Sequence, residues 1–498
     1  MSDHNLAVLA EKSFERLGDY ESLFFEGRWL TSAEIHQRSA RVAAGLRAHG
    51  VQPGDRVVVM TMNAPEVFIS YRAIWRAGAV VTPVIFLQSG PELRHILDDS
   101  GATAAIISPE LATLFGAAAD GLAITTFVIG EDSYTALEAG EPAAIEPRAD
   151  DDLAALLYTG GTTGRAKGVM LSHRGLWEAG RGLELGSRSG TSTRSLLPLP
   201  LSHAYGLIVA IAGLHSERRL VSVLQRWFDA TGWLRLVAEH RLETSPVVPT
   251  MLQMLLAQPL GDYDLSSLQS FGSGGATLPP AIRAAAEKTF GVTVLQGYGC
   301  TESSAVISAE TMTEHRPGSV GKPLPNAEVA ILDLAGNPVA AGEDGEICVR
   351  GPGVMLGYWN DPELTAQTVR DGWLHTGDIG RLDADGYLYV VDRMKDLIIR
   401  GGFNVFPRDV EDVLLEHPAV QIAACVGRPD AKNGEEVVAV VQLLPGHQVS
   451  GADLVEYTRA RMAKYKHPRE VTVLDAVPLT SVGKINRKAV RDLVRKSR

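Results

Sequence analysis

The chain has 498 residues and a mass of 53.4 kDa, beyond the roughly 250–300 residues at which a single core stops growing, so at least two domains are expected. With 45% hydrophobic and 21% charged residues it can bury large cores, which excludes a disordered or fibrous polymer. Lys and Arg number 47 against 59 Asp and Glu, a net charge of −12; this disfavours nucleic acid as a partner, because many backbone phosphates would have to be neutralised.

The first residues, MSDHNLAVLAEKSFERLGDYE, carry acids and lack the basic start and apolar run of a secretory signal. Next, RVVVM (56–60), AVVTPV (79–84) and TAAIIS (103–108) read as buried strands, with PEVFISYRAIWRAG (65–78) and PELRHILDDSG (91–101) as the helices between them. That alternation predicts an α/β architecture. The apolar window 73–86 is broken by Arg76 and Pro83 and falls short of the ~20 residues a span requires, so no integral membrane segment is expected. The rhythm returns at RLVSVL (219–224), ETSPVVP (243–249) and VTVLQGYG (292–299). Beyond residue 320, AEVAILD, GEICVRG, GWLHTGD and GYLYVVD are shorter strand-like pieces with turn signals, a β-rich portion. The strand-like GYLYVVD ends in Asp392-Arg-Met-Lys395, the best boundary in the sequence, and a second βα pattern follows. From Asp396 onward there are 16 Lys+Arg against 13 Asp+Glu, so this part is net +3 and the remainder −15. Cys300, Cys348 and Cys425 fit neither a disulfide framework nor zinc spacing, which favours a reducing, cytoplasmic setting.

The chemistry is most concentrated at Tyr158-Thr159-Gly160-Gly161-Thr162-Thr163-Gly164-Arg-Ala-Lys167, between the apolar run LAALL and the strand-like VMLSH. Three glycines let successive N–H groups turn toward an anion, three hydroxyls add donors, and Lys167 adds a mobile charge. This suits a polyphosphate. It is not a Walker A loop, since no Gly-Lys-Ser/Thr opens a helix after it.

With this loop the sequence resembles the acyl-adenylate-forming superfamily: acyl-CoA ligases, adenylation domains of peptide synthetases and beetle luciferases. The resemblance covers most of the chain. It continues in order through Pro198-Leu-Pro-Leu-Ser-His203-Ala-Tyr205-Gly, Gly272-Ser-Gly274-Gly275-Ala276, Gln296-Gly297-Tyr298-Gly299-Cys-Thr301-Glu302, Trp373-Leu-His-Thr-Gly-Asp378, Asp392-Arg393-Met-Lys395, Arg400-Gly401-Gly402-Phe403-Asn404 and Pro478-Leu-Thr-Ser-Val-Gly-Lys484. It implies a large N-terminal domain of α/β sheets with a β-rich subdomain (1–392), a hinge (393–395) and a small mobile α+β C-terminal domain (396–498). It implies ATP, Mg²⁺ and CoA as cofactors and co-substrates, with a carboxylate attacking the α-phosphate and a thiol then displacing AMP.

By the same resemblance Lys484 relieves repulsion between carboxylate and α-phosphate, Glu302 holds Mg²⁺, and Thr301 and His203 complete the catalytic set. Thr159 to Gly164, Lys167, Gly274, Gly275, Ala276 and Gln296 to Gly299 hold the nucleotide, with the Tyr298 face against adenine and Asp378 and Arg393 on the ribose. His203, Tyr205, Gly272 and Gly299 line the acyl pocket. Lys395 is the hinge about which Arg400, Gly401, Gly402 and Phe403 swing over the pantetheine of CoA. The three cysteines need no nucleophilic role.

Ala166, Ser202 and Ile399 depart from the family pattern, and Ser202, standing where a phenylalanine is usual, opens the region near the acyl group. Leu201-Ser-His-Ala-Tyr205 has no aspartate for an amino-acid ammonium. Gly297 and Gly299 supply neither the tryptophan of acetate ligases nor the arginine of malonate ligases. An apolar pocket longer than a C2–C3 acid is therefore expected, for medium- or long-chain fatty acids or for aryl and arylpropenoic acids. The leading expectation is a stand-alone acyl-CoA ligase. Loading of a carrier-protein phosphopantetheine and a non-catalytic nucleotide-binding role stand as alternatives, and a homo-oligomer is compatible with the sequence.

Overall fold

The computed structural model describes residues 2–496 except 160–164, 188–190, 334, 431 and 481–483. Among the described residues the chain forms α/β layers followed by a β-rich sheet and a final smaller sheet. The first, seven-stranded sheet has at its centre Val80–Pro83, Arg56–Met60 and Ala104–Ile107, paired in parallel. Val57, Val58, Ala104 and Ala105 are fully buried, as strands covered by helices on both faces must be. Helix Pro65–Arg76 begins with proline in its first turn, where the missing N–H costs nothing. Helix Gly90–Ser100 starts on a Ser89/Glu92 capping box, which satisfies two otherwise orphaned N–H groups.

The same sheet carries an antiparallel pair, Leu153–Thr159 with Lys167–Ser172, in which Thr159 lies opposite Lys167. The glycine- and threonine-rich loop joins these two strands, and Gly160, Gly161, Thr162, Thr163 and Gly164 lie outside the described residues.

The second sheet has nine strands, and its inner part runs in the order Thr293–Tyr298, Ser270–Ser273, Thr244–Val247, Arg194–Leu197, Val221–Leu224, Glu21–Phe25. One face packs a core around Trp233 and Phe271. The other face is only partly filled by helix Ala204–Leu214, and a cleft of about 2350 Å³ opens there. The strands Glu328–Leu332, Gly345–Arg350, Trp373–Leu382 and Leu388–Arg393 belong to the β-rich sheet. After the short turn Met394–Asp396, the last sheet begins at Ile398–Arg400, and helices Pro407–Leu415 and Arg487–Lys496 pack on its strand Val420–Asp430.

The chain joint is tied from both sides. The Asp392 carboxylate accepts from the N–H of Arg393 at 2.7 Å and from that of Arg408 at 3.0 Å. Arg487 reaches both Asp396 and Glu411, and Gln253 Nε2 donates to the Gln421 carbonyl at 2.8 Å. None of the helices among the described residues is long and apolar enough to cross a membrane.

Candidate functional site

The cleft runs along one face of the second sheet, and its Gly274–Ala276 end lies at the carboxyl ends of the parallel strands, where open α/β sheets place their ligands. Strand Ser270–Ser273 runs into Gly274-Gly275-Ala276, and Gly275 takes the left-handed φ of 78° that a glycine adopts without strain. Over it lies Lys484 from the C-terminal region: a Cβ placed on Gly275 would sit 3.7 Å from Lys484 Cε and 4.0 Å from Nζ. The two ends of the lysine's own loop are tied, since Thr480 N donates to the Lys484 carbonyl at 2.6 Å and Lys484 N to Thr480 Oγ1 at 3.1 Å.

Burial and then the nearby Arg393 push the Lys484 ammonium down to about 8. Because kcat/KM reports the free enzyme, here with the cleft closed over Lys484, the acyl-AMP formation expected from the sequence should lose kcat/KM above about pH 8, approaching tenfold per pH unit as the cation is lost. In Lys484→Arg, which keeps its charge, that limb should move well up in pH. A pyrophosphate-release assay from pH 6 to 10 reads both; an alkaline limb unchanged by Lys484→Arg would assign the titration to another group.

His203 caps helix Ala204–Leu214, its Nδ1 accepting from Tyr205 N at 3.2 Å. Burial, reinforced by Lys484, holds the imidazole down at about 3. The ring is neutral at physiological pH, suited to shaping and hydrogen bonding and not to carrying a proton. Tyr205 donates to the Gly272 carbonyl at 2.9 Å, and a Cβ on Gly274 would lie 3.2 Å from its ring. The two glycines therefore make room for the tyrosine as much as for a ligand.

Asp378 is buried and held on three sides. Tyr298 donates to its Oδ2 at 2.7 Å, Arg393 Nε lies 3.2 Å from its Oδ1, and its own N–H bonds Thr376 Oγ1 at 3.1 Å. Behind it Glu346 accepts from Gly377 N at 3.1 Å and pairs with His375 at 2.7 Å, while His375 lies 3.3 Å from Cys348 Sγ. This Glu346, Cys348 and His375 group could hold a metal ion by ligand type, but its members already bond one another and brace the Asp378 corner. The expectation of a Tyr298 face against adenine is thus joined by a second function, a phenol that orients the Asp378 carboxylate.

Glu302 sits in a single 3₁₀ turn, Thr301–Ser303, and accepts from the Tyr358 hydroxyl at 2.9 Å. Lys167 Nζ lies 5.6 Å from the centre of the same ring, so one tyrosine gathers the loop lysine and the acid. Sequence reasoning missed Tyr358, although an aromatic pair before a polar turn in Gly357-Tyr-Trp-Asn was the available signal. The turn is completed by Ser304 and Ala305 at φ 55° and 78°, strained for residues with a side chain.

Gly299 allows this turn to close, because a Cβ there would lie 2.2 Å from the Ala305 carbonyl oxygen. Gly299→Ala must therefore move the backbone carrying Thr301 and Glu302. A shift of about 1 Å costs on the order of 100-fold in rate, and acyl-AMP formation should drop by that order in the folded variant.

Gln296 also lines the cleft, with its Nε2 bonding the Ser319 carbonyl at 3.2 Å and its N–H bonding the buried Glu310 at 2.8 Å. Thr159, Thr301, Gly297 and Lys395 do line the cleft, and burial and then Arg393 push the Lys395 ammonium down.

Arg400 to Phe403 are not among the residues lining it. Arg400 is engaged inside the C-terminal region by Glu436 at 2.8 Å and by the Tyr465 and His467 carbonyls at 3.1 and 3.2 Å. Gly401 and Gly402, at φ 57° and 85°, form the two-residue hairpin turn that such values require, so turn geometry accounts for them here. Phe403 is exposed and stacks on Tyr465 at 4.9 Å. All three cysteine thiols are pushed up by burial, Cys348 to about 12, and none is poised as a nucleophile.

The family described as AMP-binding enzyme matches residues 10–359, and that described as AMP-binding enzyme C-terminal domain matches residues 409–484. The chain is 40% identical to a feruloyl-CoA synthase of an Amycolatopsis species, across 93% of this chain and 94% of that protein. It is 35% identical to a long-chain-fatty-acid–CoA ligase of Bacillus subtilis, across 98% and 94%. Among solved structures, ATP-bound MatB from Rhodopseudomonas palustris superposes with a TM-score of 0.91 at 32% identity, over 98% of this chain and 99% of that one.

Proposed function

Because the chain belongs to the AMP-binding enzyme family, we propose that the cleft is the adenylation site of an AMP-forming acyl-CoA ligase acting on a fatty or aryl acid, with CoA as the thiol. The single observation that carries this reading is Lys484 brought from the C-terminal region onto Gly275, beside His203 and the Asp378 and Arg393 pair. A carboxylate and a triphosphate repel one another. A cation about 4 Å from the developing charge offsets roughly 4 kcal/mol at an effective dielectric near 20.

Asp378, already oriented by Tyr298, is placed to accept from ribose hydroxyls, with Arg393 as the neighbouring contact. Thr301 offers a hydroxyl to the α-phosphate. Thr159 and Lys167 flank the glycine loop that would cradle the outer phosphates.

Mg²⁺ fits the donors present. Glu302 supplies one hard carboxylate oriented by Tyr358, and this ion commonly takes one or two carboxylates together with water and phosphate oxygens. When bound it would neutralise phosphate charge. Tyr205, Gly272 and Gly297 border the space for the acyl group.

For the thioester step the region after Lys395 would rotate, taking Lys484 away and presenting the Gly401-Gly402 hairpin and Phe403. Their position outside the cleft in the present arrangement is compatible with that second use.

An assay of pyrophosphate, AMP and thioester across an acid panel, with CoA or a phosphopantetheinylated carrier protein as acceptor, tests the reading. AMP and acyl-CoA should appear in equal amounts. Acyl-AMP that accumulates without CoA consumption would replace CoA with a carrier protein as the acceptor.

A further inference from the structure

The deep end of the cleft holds a cation that the adenylation chemistry does not use. Arg72, on helix Pro65–Arg76, is half-buried and lines the cleft with Tyr20 and Phe68, and it has no hydrogen bond or ion pair among the described residues. One turn along the same helix, Arg76 is paired with Glu11 at 2.6 Å. Across the neighbouring helix Arg38 pairs with both Glu66 and Glu138 at 2.9 Å. Burying a charge without a partner is costly, and a cation with only a structural task would be paired as those two are. Burial pushes the Arg72 guanidinium down to about 10, in keeping with that missing counter-charge.

The wall leading toward it is polar. Four adjacent strands place a hydroxyl at the same register: Ser270 beside Thr244, Thr244 beside Ser195, and Ser195 beside Ser222. All four line the cleft. Thr244 and Ser270 approach at 3.1 Å, Ser195 and Ser222 at 3.4 Å. At about 4.8 Å between strands the row extends roughly 14 Å sideways from the edge next to Gly272, toward Glu21–Phe25 and the Arg72 end. Alongside the apolar lining expected from the sequence, this wall thus carries a row of hydroxyls. The hydroxyls could not be seen as a row, because each comes from a different strand.

We propose that Arg72 is the distal anchor of the acid, donating to an oxygen acceptor at the end remote from the reacting carboxylate, with the hydroxyl row accommodating an oxygenated body. The substrate class is a long or multi-ring carboxylic acid ending in a carboxylate, ketone or hydroxyl, not one ending in methyl. This deepens the acyl-CoA ligase reading and rests on it.

Acids matched in length and ending in methyl, hydroxyl, ketone or carboxylate are compared by kcat/KM for pyrophosphate release, in wild type, Arg72→Met and Arg72→Lys. Wild type should favour an oxygen-terminated acid by roughly tenfold or more, the scale of a hydrogen bond to a charged group. Arg72→Met should erase or invert that ratio, and Arg72→Lys should restore part of it. A carboxylate showing the largest ratio identifies a diacid; a ketone or hydroxyl in that place identifies a neutral acceptor.

The Tm of Arg72→Met should be unchanged or higher, because no bond is lost. A wild-type preference for methyl-terminated acids, a ratio indifferent to residue 72, or a fall in Tm with equal loss on every acid would each overturn the proposal. In those outcomes continued turnover leaves the ligase reading standing. If no acid forms an acyl-AMP in wild type, the ligase reading fails and this proposal fails with it.

Discussion

Lys484→Ala should lower acyl-AMP formation by about 1000-fold, while thioester formation from supplied acyl-AMP stays within a few-fold of wild type. The magnitude follows from about 4 kcal/mol of lost charge stabilisation at an effective dielectric near 20, and it matches the cost of deleting one preorganised electrostatic group. The asymmetry follows from placement. Lys484 reaches the cleft only as an insertion from the C-terminal region above Gly275, and the second half-reaction needs that region elsewhere. Rapid-quench measurement of each half-reaction separates the two rates. Equal loss of both would show that Lys484 holds the architecture and does not serve one step.

Lys395→Pro should do the reverse, reducing thioester formation by on the order of 100-fold or more and leaving adenylation within about tenfold. Lys395 is the middle residue of the 3₁₀ turn Met394–Asp396, whose usual φ of about −50 to −70° overlaps the value a proline ring enforces. The present arrangement therefore tolerates proline, whereas a rotation that changes φ at this residue does not. Lys395→Ala serves as the control for loss of the side chain and should keep both steps. If Lys395→Pro forms thioester at the wild-type rate, the swing does not pass through this residue.

Much of the site was legible locally, because glycine-rich turns and their flanking residues are contiguous. The strands Leu153–Thr159 and Lys167–Ser172 follow the order read from the sequence. Gly297 and Tyr298 end the strand Thr293–Tyr298 that the sequence placed there, and the turn follows at Thr301–Ser303. What could not be read is how residues far apart in the chain divide one task. Tyr298 and Arg393 share the Asp378 carboxylate across 80 and 15 residues of chain, and Tyr358 serves Glu302 from 56 residues away. Nothing in the sequence sets Arg72 apart from Arg76 on the same helix, and only tertiary packing reveals that it has no counter-ion among the described residues. The same holds for the bond from Gln296 to the Ser319 carbonyl, which joins residues 23 positions apart at the cleft wall.

The desolvated lysine above Gly275 couples closure of the molecule to protons and to its nucleotide. An exposed lysine titrates near 10.5 and this one near 8, so with no nucleotide bound, closing between those values releases a proton. Closure of the empty cleft accordingly becomes more favourable as pH rises through that window, and it is resisted at neutral pH. A bound triphosphate reverses the balance by giving the ammonium a counter-charge. By reciprocity, whatever ATP adds to the closed population, closure adds to the affinity for ATP. Desolvation of this lysine therefore opposes closure of the empty cleft at neutral pH, and ATP binding to the closed empty form above about pH 8 should draw a proton from the buffer as the lysine is recharged.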